Sequence, residues 1–293
     1  MFDVLFATHS ATMISVFVLS LCIGSFLNVV VYRLPIMMRR QLEMDCLSLN
    51  AEDDEQEFDP RDQEVFNLSK PASACPKCNS PIRAWQNIPV ISFLWLKGKC
   101  ANCKTVISPR YPSVELVTGL LGLLVAYLYG ATWECAALLV FTYFLVALTL
   151  IDFDEYLLPD SLTLPLIWIG LIANSFALFT TLESAVFGAI AGYLSLWSIY
   201  WLFKIITGKE GMGYGDFKLL AAIGAFLGWQ VLPVVILLSS LVGAVVGISM
   251  IVILGRDKNI PIPFGPYLAA AGFITALYGE EIMFHYMKFI GLS

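Results

Sequence analysis

A succession of long apolar runs limits what this chain can become. Eight of them, at about residues 11–32, 113–130, 134–151, 161–180, 183–206, 217–231, 232–254 and 263–284, are separated by short polar clusters. A helix needs about 20 mostly apolar residues to cross the hydrocarbon of a bilayer. In lipid, its backbone must find every hydrogen bond within the segment. The runs therefore predict an all-α polytopic membrane protein with about eight transmembrane helices. Only Gly228-Trp229-Gln230 and Pro233 mark the break between the sixth and seventh. Composition agrees, with 58% hydrophobic and 14% charged residues, where a soluble domain carries about 25% charged. A net charge of -6 offers no global basic surface for nucleic acid, and none is expected as a partner. The first run lacks a basic leader and a small-residue cleavage site, and basic residues follow it, so it is expected to stay as an anchor.

The polar residues sort the chain into three parts. These are a first transmembrane helix at 1–32, a soluble loop domain at 33–112, and a seven-helix membrane core at 113–293. The loop holds 11 of the 17 Lys and Arg residues. With the N-terminus outside, the loops 33–112, 152–160, 207–216 and 255–262 and the flanking helix ends collect 16 of the 17, leaving Lys288 on the far side. Positive charge concentrates on the cytoplasmic side of membrane proteins, so that side is assigned to these loops. Within 43–64, ten acids and one Arg with few large apolar residues predict a solvated, flexible stretch.

Two sets of residues carry chemistry. In the loop, Cys75-Pro76-Lys77-Cys78 and Cys100-Ala101-Asn102-Cys103 are separated by 21 residues. Paired Cys-x-x-Cys knuckles at this distance supply four thiolates to a tetrahedral Zn²⁺. Disulfides or free thiols are the alternative, and a reducing cytoplasm disfavours the former. Such a closed site is structural and leaves no open position for catalysis. Cys22 and Cys135 fall in spans and read as small apolar packing residues.

The second set is acidic. Asp152 directly follows the apolar run 145–151, and Asp216 closes Gly211-Met212-Gly213-Tyr214-Gly215-Asp216. Ionisable groups at membrane depth are costly and usually functional. Asp154 would point about 200° away from Asp152 on a continuing helix, so both cannot face the same part of the bundle. Asp160, after Leu157-Leu158-Pro159, reads as the N-cap of the fourth span. Asp152 and Asp216 fall at cytoplasmic span ends and could meet as a catalytic pair. They could equally be an interfacial acid and a helix N-cap. The glycine run is neither a Walker loop nor a dinucleotide fingerprint.

A Gly-x-Gly-Asp before one helix, with an Asp at the end of an earlier span, resembles the intramembrane aspartyl proteases. More closely, the chain resembles the type IV prepilin peptidase family. The resemblance runs through Gly24-Ser25-Phe26-Leu27-Asn28, Tyr32-Arg33-Leu34-Pro35, the Cys knuckles, Ile107-Ser108-Pro109-Arg110-Tyr111-Pro112 and Leu150-Ile151-Asp152. It continues through Leu157-Leu158-Pro159-Asp160, the 211–216 motif and Pro263-Phe264-Gly265-Pro266. It implies an endopeptidase of the bacterial inner membrane with Asp152 and Asp216 as its catalytic residues and its active site on the cytoplasmic side. The substrates implied are type IV prepilins and pseudopilins, cut after the Gly that ends a short basic leader. A second activity is implied too, N-methylation of the new N-terminus from S-adenosylmethionine. No motif in the chain reveals a site for that donor. Some family members lack the four Cys, which separates the metal from the peptidase chemistry. A transporter using the two Asp for a proton or cation, and a non-catalytic assembly protein, are the rival readings.

Overall fold

A computed structural model describes residues 9–50, 66–209, 211–253, 255 and 262–289. Among these it is helical, and no strand occurs beyond two isolated β-bridges. The helices are α1 (His9–Asn50), the short α2 (Ile91–Trp95), α3 (Arg110–Tyr129), α4 (Trp133–Glu155) and α5 (Asp160–Ser175). They are followed by α6 (Leu182–Thr207), α7 (Tyr214–Leu227), α8 (Leu232–Val252) and α9 (Gly265–Phe289). Each of the eight apolar runs coincides with one of the eight long helices, in order. Five of these, α1, α3, α4, α6 and α8, are long and apolar enough to cross a membrane. The 16 residues of α5 and the 14 of α7 fall short of the roughly 20 that a lone span needs.

The chain forms two compact units, Met13–Leu123 and Leu124–Ser293, the latter joined by the first twelve residues. In the first unit α1 does not stop where its apolar run ends. It continues to Asn50 with Pro35 inside it, so residues 33–50, read from the sequence as loop, are helical. Most of the acidic stretch 43–64, from residue 51 on, lies outside the described residues; its first part, from Glu43, belongs to α1. The buried Arg33 donates from its two terminal nitrogens to the carbonyls of Asn67 and Pro71, at 2.9 and 2.7 Å. Its guanidinium also stacks over Phe66. The loop is thereby tied back to the helix from which it departs. Gly24 meets the backbone of Glu115 on α3, and a Cβ there would come within 2.8 Å of the Glu115 Cα.

In the second unit, α7 is the central element. Asp216, Phe217 and every residue from Leu219 to Phe226 are buried. A helix enclosed by protein must be apolar on all faces, and it need not match a bilayer's thickness. It packs most extensively against α6 and then α5. Gly188 and Gly192 of α6 lie on its backbone at Gly224 and Leu220, a close approach that small residues four apart permit. The outward faces of α6 and α8 remain apolar, with Leu202, Ile205, Leu241, Val245 and Ile248 exposed, as lipid contact requires. Cys135 is buried in α4, as expected, whereas Cys22 is exposed on α1.

Asn174 at the end of α5 closes the far end of α7. Its amide nitrogen donates to the carbonyls of Ala225 and Phe226, both at 2.8 Å. Its oxygen accepts from the N–H groups of Phe179 and Thr180. All four partners are backbone groups that lose this bond if the side chain is removed. Asn174→Ala is therefore expected to destabilise the protein by about 2–4 kcal/mol, since each unsatisfied buried group costs about 1–3 kcal/mol and some will rebond. Thermal unfolding in detergent reads this directly. An unchanged midpoint would mean that the helix end is held some other way.

Candidate functional site

Asp152 sits one turn inside α4. The helix runs on to Glu155 and closes on Tyr156 in the left-handed conformation, with φ 54°. Its placement turns Asp152 inward, only 5% exposed, and leaves Asp154 on the exposed side, as the helical rotation predicts. Asp216 lies in the first turn of α7 and is 6% exposed. It is not the N-cap; that position is Gly213, whose N–H donates to Asp216 Oδ2 at 3.2 Å. Asp152 Oδ2 accepts from the Gly265 N–H at the start of α9, at 3.0 Å.

Leu158, buried in the turn after α4, lies against both neighbouring glycines. A Cβ on Gly215 would be 2.5 Å from the Leu158 Cβ, and one on Gly265 would be 3.2 Å from its Cδ1. The pattern of glycines thus lets the turn after α4 and the starts of α7 and α9 close around the two acids. Asp216 Oδ1 is buried with no hydrogen-bond partner. A buried polar oxygen in that state calls for a bound group or a proton. Asp160 is likewise not an N-cap: Pro159 holds that position, and Asp160 begins the helix. Its carboxylate instead accepts from Lys218 Nζ at 2.5 Å, linking α5 to α7 two residues beyond Asp216.

In the first unit, the four thiols of Cys75, Cys78, Cys100 and Cys103 come together with their sulfurs within 4.8 Å of one another. The two knuckles repeat one design. A β-bridge closes each, Ala74 with Pro81 and Lys99 with Val106. Each turns through a residue with positive φ, Asn79 at 52° and Lys104 at 59°. The N–H of that residue returns to the carbonyl of the first Cys. The Cys75 and Cys103 sulfurs are 3.8 Å apart. Four sulfurs at about 2.3 Å from a tetrahedral ion would be about 3.8 Å apart, so the donor set fits a metal ion. Backbone N–H groups of Cys103 and Asn102 push the Cys100 thiol down to about 6. The Ser80 N–H lowers Cys78. At Cys103 the Thr105 N–H also favours the thiolate, but desolvation and the neighbouring sulfurs outweigh it and raise the thiol to about 11. Without a cation, this cluster cannot carry four negative charges.

The description "Bacterial Peptidase A24 N-terminal domain" matches residues 18–129, and "Type IV leader peptidase family" matches residues 139–248. A prepilin leader peptidase/N-methyltransferase of Pseudomonas aeruginosa is 53% identical over 291 residues, covering 98% of each chain. The chain belongs to the type IV leader peptidase family. A relative of the same name from Aeromonas salmonicida is 56% identical over 275 residues, 94% of each chain. Another from Neisseria gonorrhoeae is 54% identical over 268 residues, 90% of each. No solved structure matches the chain.

Both sets of residues singled out in the sequence are each brought together in this leader peptidase fold. The sequence did not reveal that Gly265 bonds to Asp152, that Leu158 fills the space beside both acids, or that Lys218 pairs with Asp160. The Pro263-Phe264-Gly265-Pro266 run was the one visible trace of the first.

Proposed function

We propose that this chain is an aspartic endopeptidase that removes the leader from type IV prepilins and pseudopilins and then N-methylates the new N-terminal residue. The observation that carries the peptidase reading is the buried pair Asp152 and Asp216, set beside Leu158 and the glycines packed on it, with one oxygen of Asp216 left unpartnered. Two adjoining carboxylates do not readily both ionise and so share a proton. One takes a proton from water, which attacks the scissile carbonyl carbon. The other protonates the carbonyl oxygen; the first then passes the proton it took from water to the leaving amine as the C–N bond breaks, and the second recovers its proton from the new hydroxyl. The proposed location is the bacterial inner membrane, with the acid pair on the cytoplasmic side. Support comes from the apolar helices and from the distribution of Lys and Arg. A leader cut after Gly beside a hydrophobic helix would meet the pair at that boundary.

Zn²⁺ is the ion we assign to the four Cys, in a structural role. S-adenosylmethionine would supply the methyl group for the second activity. A cavity of about 280 Å³ formed by α8 and the start of α9 is lined by Ser240, Gly243, Ala244, Phe264 and Tyr267, among others. Among the described residues its lining holds no charged side chain, and those residues do not match the charged amino-acid end of that donor. No residue is assigned to methyl transfer.

The test is mass spectrometry of a prepilin N-terminus after incubation with the purified chain and S-adenosylmethionine. Loss of the leader and gain of one methyl group are expected. Methylation needs the amine that cleavage exposes, so cleavage comes first. If the two sites are separate, Asp152→Asn and Asp216→Asn should still methylate a pre-cleaved pilin. Loss of methylation in a folded variant would mean that the acids serve both reactions.

A further inference from the structure

The Pro263-Phe264-Gly265-Pro266 run opens α9, and its third residue touches the acid pair. The Gly265 N–H donates to Asp152 Oδ2 at 3.0 Å. A Cβ built on Gly265 would lie 2.6 Å from that same oxygen and 3.2 Å from the carboxyl carbon. The shorter distance is well inside the roughly 3.5 Å of ordinary non-bonded contact. Gly265 does not have a positive φ, so its backbone conformation is open to any L-residue. The need for glycine there is spatial, and it comes from Asp152. Gly213, the matching donor to Asp216, differs. A Cβ there would stand 3.7 Å from the Asp216 carboxylate, which is ordinary contact.

We infer that Gly265 is a positioning residue for the peptidase reaction. Its amide fixes one oxygen of Asp152, and its missing side chain lets that carboxylate reach the amide at all. This rests on the proposed catalytic role of Asp152 and Asp216. An unanchored carboxylate rotates about two side-chain bonds. The amide bond selects one orientation and holds Oδ2 out of the reaction, so Oδ1 is the oxygen left to act. On the other acid, Asp216 Oδ2 is held by Gly213, and Oδ1 is the buried oxygen without a partner. Each acid thus keeps one oxygen on a backbone amide and the other for water and proton transfer. The Gly265 amide is already spent on Asp152, so its loss is expected in the rate and not in the affinity for substrate. A misplacement near 1 Å costs about 100-fold in rate.

The experiment compares Gly265→Ala, Gly279→Ala and Asp152→Asn in the purified full chain. Gly265→Ala is expected to lower kcat for leader cleavage about 100-fold with KM nearly unchanged and the unfolding midpoint close to wild type. Gly279→Ala, on the same helix, places its Cβ at 3.7 Å from the nearest atom, Thr275 Cγ2, and should keep kcat. If Gly265→Ala retains wild-type kcat while Asp152→Asn is inactive, this inference fails and the catalytic pair stands. If Asp152→Asn cleaves normally, the reading of the pair fails and takes this inference with it. Should Gly265→Ala alone not fold, Asp152→Ala is added to it. Removing the carboxylate removes the clash, so the double variant should fold. A double variant that also fails to fold would place the constraint elsewhere and overturn the inference.

Discussion

Asp152→Asn and Asp216→Asn are each expected to lower leader cleavage by about 1,000-fold or more, because general acid and general base each contribute about 100- to 10,000-fold. An amide neither takes a proton from water nor gives one to the carbonyl oxygen, and one remaining carboxylate cannot do both in the same step. The substitution keeps the shape of the side chain. The amides of Gly265 and Gly213, which now donate to Asp152 and Asp216, can still donate to an asparagine oxygen. Both variants should therefore fold and remain monodisperse in detergent. Asp154→Asn is the internal control: it is two residues from Asp152 but on the exposed side of α4, and it should cleave near the wild-type rate. Steady-state cleavage of a prepilin by the three purified variants decides the matter. Near wild-type turnover in either member of the pair would remove it from the reaction.

Cys75→Ser and Cys100→Ser are expected to abolish stoichiometric metal binding and to loosen the segment from residue 70 to 110. The native chain should carry about one Zn²⁺. Apart from two short helical turns, that segment is held by the two knuckles and their bridges, so it has little core of its own. Structural zinc sites of this kind contribute about 10–16 kcal/mol of apparent binding free energy at neutral pH. The pH dependence has a definite sign. Cys103, raised to about 11, is protonated at pH 7, whereas Cys100, lowered to about 6, is already mostly ionised. Metal binding must expel the Cys103 proton, so affinity rises with pH and falls on acidification. Elemental analysis after dialysis between pH 8 and 5, with limited proteolysis of the same samples, measures both effects. Metal-free protein from a freshly reduced, chelator-free preparation would overturn this expectation.

Periodicity and length made most of the architecture legible. Apolar runs of about 15–24 residues admit little but helices, and eight long helices stand where the runs predict them. Helices α1 and α7 depart from what apolarity alone predicts. The sequence of residues 33–50 is polar enough to leave a membrane, and apolarity says nothing about whether a helix continues in water; α1 does so to Asn50. The run 217–231 reads as a span, yet the helix there, Tyr214–Leu227, has 14 residues and is enclosed by α5, α6 and α9. Burial by protein and burial by lipid leave the same apolar signature.

What the sequence by itself determined was which residues could do chemistry: four Cys in two knuckles, and two acids at the ends of apolar runs. Their chemistry is local, since a Cys-x-x-Cys turn or a Gly-x-Gly-Asp helix start depends on neighbours within a few residues. Only the tertiary structure decided what each group faces. Asp152 and Asp216 are 64 positions apart in the chain, and Gly265 is 113 from Asp152; no periodicity spans such distances. The turn after α4 and the starts of α7 and α9 come together where Leu158 packs on the backbones of Gly215 and Gly265, while α6 packs closely on α7. Those are demands of volume and of unpaired backbone groups, which exist only once the helices have come together.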